Sequence, residues 1–163
     1  MILVCSFLGG AHLFSQDTKL QNFLARVFGK DIPELSAVWL IGPLKERIQG
    51  VLGKPPKGLR QKVWKDDEQT VMVLEHIGKT QPITVAWTIS KEQRILNTEV
   101  LHYRESRGGE IARESFRKQF FGLSLGGGDK LSGGIDGISG ATLSVRAMRN
   151  MARQALVISE KIP

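Results

Sequence analysis

Alternating apolar and polar residues in the middle of the chain predict three consecutive β-strands. The segment PITVAWTIS at 82–90 alternates throughout, which places its four large apolar side chains on one face of a strand. The segments 70–77 and 95–103 are rich in strand-forming residues, and KEQR at 91–94 has the length of a hairpin turn. We therefore predict an antiparallel meander that buries one of its two faces.

Apolar residues spaced three and four positions apart predict helices before the meander. One helix is expected within 17–30 and ends at Gly29, and another begins at 31–33 with ELSAVWLI as its body. Pro43 suits the first turn of a third helix, LKERIQGVL, and Gly53 suits its end. The chain before the meander is therefore predicted to be helical.

Two further helices are predicted after the meander. The segment 109–122 carries an apolar residue at every fourth position from Ala112, and a last amphipathic helix runs from Leu143 to Ser159. A flexible, glycine-rich loop is expected between them. Helices on both sides of an antiparallel meander predict a single domain of the α+β class.

Composition supports one folded domain and leaves its partner open. The chain has 163 residues, of which 41% are hydrophobic and 24% are charged, as in typical globular proteins. Its net charge of +7 favours an anionic partner: nucleic acid, a membrane surface or a phosphate-bearing cofactor. The single cysteine, Cys5, excludes disulfides, iron–sulfur clusters and cysteine-rich zinc sites within this chain. His12, His76 and His102 lack the spacing of metal ligands.

The start of the chain is almost entirely apolar. MILVCSFLGGAHLF is too short to span a bilayer as a helix but has the length of a signal-peptide core. We expect residues 1–15 to be a signal peptide or a short N-terminal anchor, with a short buried helix as the alternative. Export to the periplasm or the outer face of the cytoplasmic membrane is the corresponding expectation.

A basic segment precedes the meander. KPPKGLRQKVWK at 54–65 holds five Lys or Arg residues and no acid, and the acidic residues 66–68 follow it. We interpret it as a solvated loop, with a docking patch for an anionic partner as the alternative. Aromatic residues are not interleaved with this cluster, and no RNP-type motif, helix-turn-helix or zinc finger is present, so no nucleic-acid partner is expected.

The segment DGISGAT directly precedes the last predicted helix. A helix N-terminus presents unpaired backbone N–H groups and a positive dipole end, which attract phosphate. Gly140 and Ala141 leave space for a ligand, Thr142 offers a hydroxyl, and Arg146 lies one turn further on as a counter-charge. The alternative is that Ser139 or Thr142 simply caps the helix.

This segment resembles the flavinylation motif of the FMN-binding domain family, Asp-x-x-Ser/Thr-Gly-Ala-Thr. Subunits of the sodium-translocating NADH:quinone oxidoreductase and of the Rnf electron-transport complex belong to that family. Its five specified positions are matched by Asp136, Ser139, Gly140, Ala141 and Thr142. In the family, a flavin transferase moves FMN from FAD onto the last Thr of the motif through a phosphoester bond.

A second segment supports the resemblance. In the family, a strand leads into a loop written E-T-P-G-L-G and then into a helix with aromatic residues. Here the strand at 95–103 leads into ESRGGE, which begins at Glu105. Ser106-Arg107 stands in place of Thr-Pro and Gly109 in place of Leu, a variant similar to that of small stand-alone members. The resemblance covers about residues 70–158.

The resemblance implies an FMN-binding domain at 70–158, preceded by an N-terminal helical region at 16–69. It implies FMN linked covalently through Thr142. The other expected cofactor-binding residues are Glu105, Ser106, Arg107, Gly108, Asp136, Ser139, Gly140, Ala141, Leu143 and Arg146. Arg107 would favour the anionic form of a reduced flavin. A surface ion pair between Glu105 and Arg107 is the alternative for those two residues, and a simple turn residue the alternative for Asp136.

The implied function is that of an electron carrier. The chain has neither an NAD(P)-binding fingerprint nor a second cofactor site, so a redox carrier is expected in place of a self-sufficient oxidoreductase. Its expected partners are the flavin transferase, a membrane-bound electron donor and a downstream redox acceptor. Two alternatives are a basic α+β module that docks on an anionic partner and a protein of the same fold that binds FMN non-covalently.

Overall fold

The computed structural model describes residues 18–162. Within this range five strands form one antiparallel sheet in the order of the sequence, so that each strand pairs with the next. The strands are β1 (Leu35–Trp39), β2 (Arg60–Lys65), β3 (Gln69–Ile77), β4 (Pro82–Ser90) and β5 (Ile95–Tyr103). The helices are α1 (Thr18–Phe28), α2 (Gly42–Leu52), α3 (Glu114–Arg117) and α4 (Thr142–Ser159). The predicted single-domain α+β fold is confirmed.

Glycine and proline residues in the sequence located the two helices before the meander. Helix α1 ends at Gly29, which adopts a φ of 73°. Helix α2 has Pro43 in its first turn and ends at Gly53, whose φ is 68° and whose N–H bonds to the carbonyl of Gln49. Both predicted helices are confirmed. Their ends could be predicted because proline and glycine act through their own backbone preferences.

The helix predicted from 31 to 41 is wrong, because this segment contains β1. Strand β1 pairs antiparallel with β2, from Leu35 opposite Trp64 to Trp39 opposite Arg60. Strand β2 lies in the basic segment that was expected to be a solvated loop. The predicted helical region at 16–69 therefore contributes two strands to the sheet of the domain. The paired residues of these strands are about twenty-five positions apart, so local sequence patterns do not reveal the pairing.

The main core lies on one face of the sheet, against α2 and α4. Trp87 of β4 is fully buried there, and its ring meets that of Phe120 edge-on with a centroid distance of 5.4 Å. Met148 and Ala155 of α4 are likewise fully buried in this cluster. The apolar face predicted for 82–90 is therefore confirmed, and Trp87 belongs to the core.

The opposite face of the sheet is also covered, so the prediction of a single buried face is wrong. Phe23 and Leu24 of α1 form a second core cluster with Val71, Ala86 and Leu101 of the central strands. The polar-looking face of β4 carries short side chains, which leave space for an aromatic ring from α1. Alternation therefore identified one face of the sheet but could not reveal that a separate helix covers the other.

The continuous helix predicted at 109–122 is replaced by short turns. A 3₁₀ turn at Gly109–Ala112, the single turn α3 and a second 3₁₀ turn at Lys118–Phe120 follow one another. Arg113 is extended, with φ −66° and ψ 141°, and interrupts helical continuity. Phe116 and Phe120 are buried as expected, whereas Ala112 is exposed.

Ionic contacts hold the glycine-rich loop after these turns. The guanidinium of Arg47 on α2 donates to both carboxylate oxygens of Asp129 and also pairs with Glu160 just after α4. Arg153 of α4 donates to the carbonyl oxygens of Asp129 and Val51 at 2.5 and 3.2 Å. The loop expected to be flexible is therefore tied to both α2 and α4.

The predicted signal peptide or anchor at 1–15 lies outside the described residues. Among residues 18–162, no helix has both the length and the apolar content needed to cross a membrane. Export and membrane anchoring therefore stay predictions from the sequence.

Replacing Trp87 by Ala should destabilise the fold by about 3–5 kcal/mol, since it removes a fully buried aromatic side chain. Trp87→Phe should have a smaller effect, because Phe keeps an apolar ring and removes an indole N–H that lacks a hydrogen-bond partner. Denaturant unfolding measures both values. A loss below about 1 kcal/mol for Trp87→Ala would contradict its place in the core.

Candidate functional site

Two loops and the start of α4 enclose a cleft at one end of the sheet. Its volume is about 620 Å³, which lies within the range of small-molecule sites. The cleft, called the threonine cleft below, is lined by Lys79 of the β3–β4 turn, by residues 105–107 after β5 and by residues 140–144. In an antiparallel meander the β3–β4 turn and the end of β5 lie at the same end of the sheet, which explains why these segments meet.

Thr142 is the first residue of α4, and its side chain is exposed. The cap position before it is held by Ala141, which has no side-chain capping hydrogen bond. The alternative that Ser139 or Thr142 caps the helix is therefore wrong. Within residues 18–162 no hydrogen bond engages the hydroxyl of Thr142, and the residue lines the cleft.

The start of α4 gives the threonine cleft an anion-binding character. The first helical hydrogen bond runs from the N–H of Val145 to the carbonyl of Ala141, so the N–H groups of residues 142–144 precede the intrahelical ladder. These N–H groups carry the positive end of the helix dipole. Lys79 and Arg107 add two cations to the lining. Together they favour a phosphate at the helix N-terminus.

Gly108 joins the two segments that the sequence singled out. It is buried, it adopts a φ of 88°, and a Cβ placed there would lie 2.7 Å from the Cβ of Ala141 and 2.7 Å from the hydroxyl of Tyr103. Both the backbone conformation and the close approach require glycine. The loop at 105–110 therefore packs directly on the motif that begins α4.

Tyr103 reinforces this contact and was missed from the sequence. Its hydroxyl donates to the carbonyl of Arg107 and lies 3.0 Å from the Oγ of Ser144, which is buried in the first turn of α4. One side chain thus links the end of β5, the loop and the helix. The available signal was that the only tyrosine of the chain stands two residues before the start of the ESRGGE loop.

The structure brings together most of the expected site residues and leaves two apart. Ser139 and Gly140 line an adjacent cleft of about 660 Å³, which shares Ser106, Arg107 and Gly140 with the threonine cleft. Asp136 is held through its backbone N–H, which donates to the side-chain oxygen of Gln119, and lies outside both clefts. Arg146 lines a separate groove with Lys130 and Arg149, so it does not face the threonine cleft.

Comparison with known families identifies the domain. Residues 78–157 match the model of the FMN-binding domain. This segment belongs to the FMN-binding domain family. A search of curated proteins found no match for the chain. The family match begins after β3, so α1, α2 and the first three strands lie outside it although they share its sheet and core.

In this FMN-binding domain Glu105 fixes a neighbouring turn. Its Oε1 accepts hydrogen bonds from the backbone N–H groups of Lys79, Thr80 and Gln81, at 2.5, 2.7 and 2.9 Å. The N–H groups of Gln81 and Thr80, with a smaller contribution from Lys79, lower the pKa of the Glu105 carboxyl. The alternative of an ion pair with Arg107 is therefore wrong. Glu105 instead holds the turn that carries Lys79 into the threonine cleft.

Gly108→Ala should destabilise the FMN-binding domain by about 1–3 kcal/mol and lower its FMN content, because the new methyl group displaces the loop from α4. Gly109→Ala is the matched control, since a Cβ at Gly109 meets nothing within 4 Å. Denaturant unfolding and flavin absorbance measure the two effects. Equal stabilities for the two variants would contradict the close approach of loop and helix.

Glu105→Gln should flatten the acid side of the stability profile. A carboxyl whose pKa is depressed in the fold stabilises it above its ordinary pKa of about 4.3, and this stabilisation is lost as pH falls through the lower folded-state pKa. Thermal unfolding between about pH 3 and pH 7 measures the difference between parent and variant. Glu46→Gln, an exposed substitution on α2, should leave the profile unchanged.

Proposed function

We propose that this protein is an electron-transfer flavoprotein whose FMN is joined by a phosphoester to Thr142. The single observation that carries the proposal is the unengaged hydroxyl of Thr142, which stands in the cleft at the start of α4. The complete flavinylation motif around it supports the same conclusion. The family match supports FMN as the group concerned.

The residues present suit the phosphate end of FMN. The N–H groups of residues 142–144 provide donors at a helix N-terminus, and the cations of Lys79 and Arg107 offset phosphate charge. Gly140 and Ala141 leave the approach to the Thr142 oxygen open, since a Cβ at Gly140 would meet nothing within 4 Å. The site therefore fits an esterified phosphate.

The attachment step balances as a transfer from FAD. The Thr142 oxygen attacks the phosphorus of the FMN half of FAD, the pyrophosphate P–O bond breaks, AMP leaves, and the hydroxyl proton is lost. No electrons are transferred in this step. A flavin transferase supplies the catalysis, since Glu105 is the one carboxylate in the lining of the cleft and the β3–β4 turn already engages it.

The character of the cleft favours a covalent link over non-covalent binding. Pockets that retain a cofactor without a bond are lined mainly by apolar and aromatic side chains. The lining of the threonine cleft is mostly polar, with Ala141 and Leu143 as its apolar members and no aromatic side chain. A bond to Thr142 would retain FMN where contacts alone hold it weakly.

The attached flavin supplies one- and two-electron transfer, and the protein supplies its position and electrostatics. Arg107 lines both clefts and offers a cation that favours the anionic reduced flavin. The open cleft leaves the cofactor accessible to partners. We propose a membrane-bound donor and a separate redox acceptor as those partners, and export as the location, on the support of the apolar run at the start of the chain.

Intact mass under denaturing conditions tests the proposal. The protein co-expressed with a flavin transferase should gain the mass of FMN less one water, and it should stay yellow after denaturation. Thr142→Ala should remain folded and lose both signals, because the accepting oxygen is gone, while Thr142→Ser should recover them in part. An unchanged polypeptide mass with flavin released on denaturation would instead establish non-covalent binding.

The adjacent hydroxyl of the motif provides the control. Ser139→Ala removes an exposed hydroxyl three residues before Thr142 and keeps the proposed acceptor. Peptide mapping of this variant should still place the added mass on the peptide that contains Thr142. The assignment is wrong if Thr142→Ala carries the modification and Ser139→Ala does not.

A further inference from the structure

The edge strand β1 presents a row of large apolar side chains to solvent. Leu35 and Trp39 are 49% and 58% exposed and share one face of the strand, while Val38 between them points to the core. Ile41 continues the row, because its backbone is extended, and it is 58% exposed.

A row of cations runs alongside the apolar row. In the β1–β2 register Trp39 pairs with Arg60 and Ala37 pairs with Lys62, so both basic side chains share the face of Trp39. Arg60 and Lys62 are exposed, and neither forms an ion pair within the described part of the chain. The acidic residues 66–68 lie at the other end of β2. We call Leu35, Trp39, Ile41, Arg60 and Lys62 the edge face.

We propose that the edge face docks on an anionic lipid bilayer. An exposed indole and two aliphatic side chains beside unpaired cations match the interfacial region of a membrane, where aromatic and aliphatic groups enter the headgroup boundary and cations meet anionic lipid. Trp64 is the one aromatic residue within the basic segment at 54–65. The pairing of β1 with β2 places a second one, Trp39, beside that segment. Large apolar side chains that are exposed next to one another, as here, mark an interaction site.

Charge selects the bilayer among other occupants. A second copy that packed face to face on the edge face would bring the cations of both copies into one contact, and like charges oppose that contact. An acidic protein would match the cations but would leave the exposed Trp39 and Ile41 without apolar partners unless it were itself amphipathic. Residues 1–17 are apolar and uncharged until Asp17, so they do not complement the cations.

The edge face lies at the same end of the sheet as the threonine cleft. Strand β1 ends at Trp39 and β2 begins at Arg60, at the end where the β3–β4 turn and the last residue of β5 border the cleft. Four inter-strand steps separate β1 from β5, which is about 19 Å. This consequence rests on the proposed function: docking would hold the flavin end of the sheet near the membrane that contains its electron donor.

Vesicle co-sedimentation with the full chain tests the docking surface. Binding is expected to vesicles of phosphatidylcholine with phosphatidylglycerol and to be much weaker with phosphatidylcholine alone. Because each basic residue near an anionic surface strengthens binding roughly five-fold, R60Q/K62Q should weaken it by about 25-fold at low salt. W39S/I41S should weaken it at any salt concentration, since apolar insertion is not screened.

Matched variants separate the edge face from general charge and hydrophobicity. K118Q/K161Q removes two exposed cations elsewhere, and Leu96→Ser removes an exposed aliphatic side chain from β5, which is 46% exposed. Both should bind as the parent does, and circular dichroism should show all variants folded. Thr142→Ala, which lacks the attachment oxygen, should also bind fully, so that failure of docking and failure of the flavin assignment are distinguishable.

Tryptophan quenching by bromine-labelled lipid provides a direct contact readout. Trp39→Phe should sediment with vesicles almost as well as the parent but lose most of the quenching, since Trp87 is fully buried and Trp64 is half-buried. The inference is wrong if the two edge-face double variants bind vesicles as tightly as the parent. It is also overturned if binding depends only on residues 1–17, if the chain self-associates through this edge, or if it ignores vesicles and binds only an acidic protein.

Discussion

The close approach of Gly108 to Ala141 is the contact on which the rest of the site depends. It presses the loop after β5 against the first turn of α4, at a separation that leaves no space for a side chain on Gly108. Tyr103 bonds to a neighbour on each side of this contact, to the carbonyl of Arg107 in the loop and to the hydroxyl of Ser144 in the helix. The shape of the threonine cleft therefore depends on the absence of a Cβ atom at Gly108.

Hydrogen bonds and ion pairs hold the segments around the threonine cleft in place, whereas the cleft itself is open to solvent. Glu105 holds the β3–β4 turn, and Arg47 holds the glycine-rich loop against α2 and α4. The cleft itself offers little apolar surface to a ligand, and the side chain of Thr142 is exposed there. The proposed attachment through one bond would leave the flavin accessible, which suits the proposed carrier that exchanges electrons with partners in turn.

Prediction from the sequence succeeded where a residue acts through its own backbone preference or through strict periodicity. The meander, the end of α2 at Gly53 and the α4 helix were all legible in this way. Prediction failed where the local pattern of apolar residues was compatible with two different structures. The segment that became β1 has an apolar pattern compatible with a helix, and only its pairing with β2 decides the strand. The same limit applied to the turns around Arg113.

The sequence by itself determined the class of the fold, because strand and helix periodicities are local. It also determined the family and the one hydroxyl on which the proposed chemistry depends, because the flavinylation motif is local and contiguous. Only the tertiary structure decided which groups surround that hydroxyl. It put Ala141 at the cap, gave Glu105 to a turn, and left Arg146 in a different groove. It also set Trp39 beside Arg60. Each of these depends on contacts between distant segments, which local residue patterns do not encode.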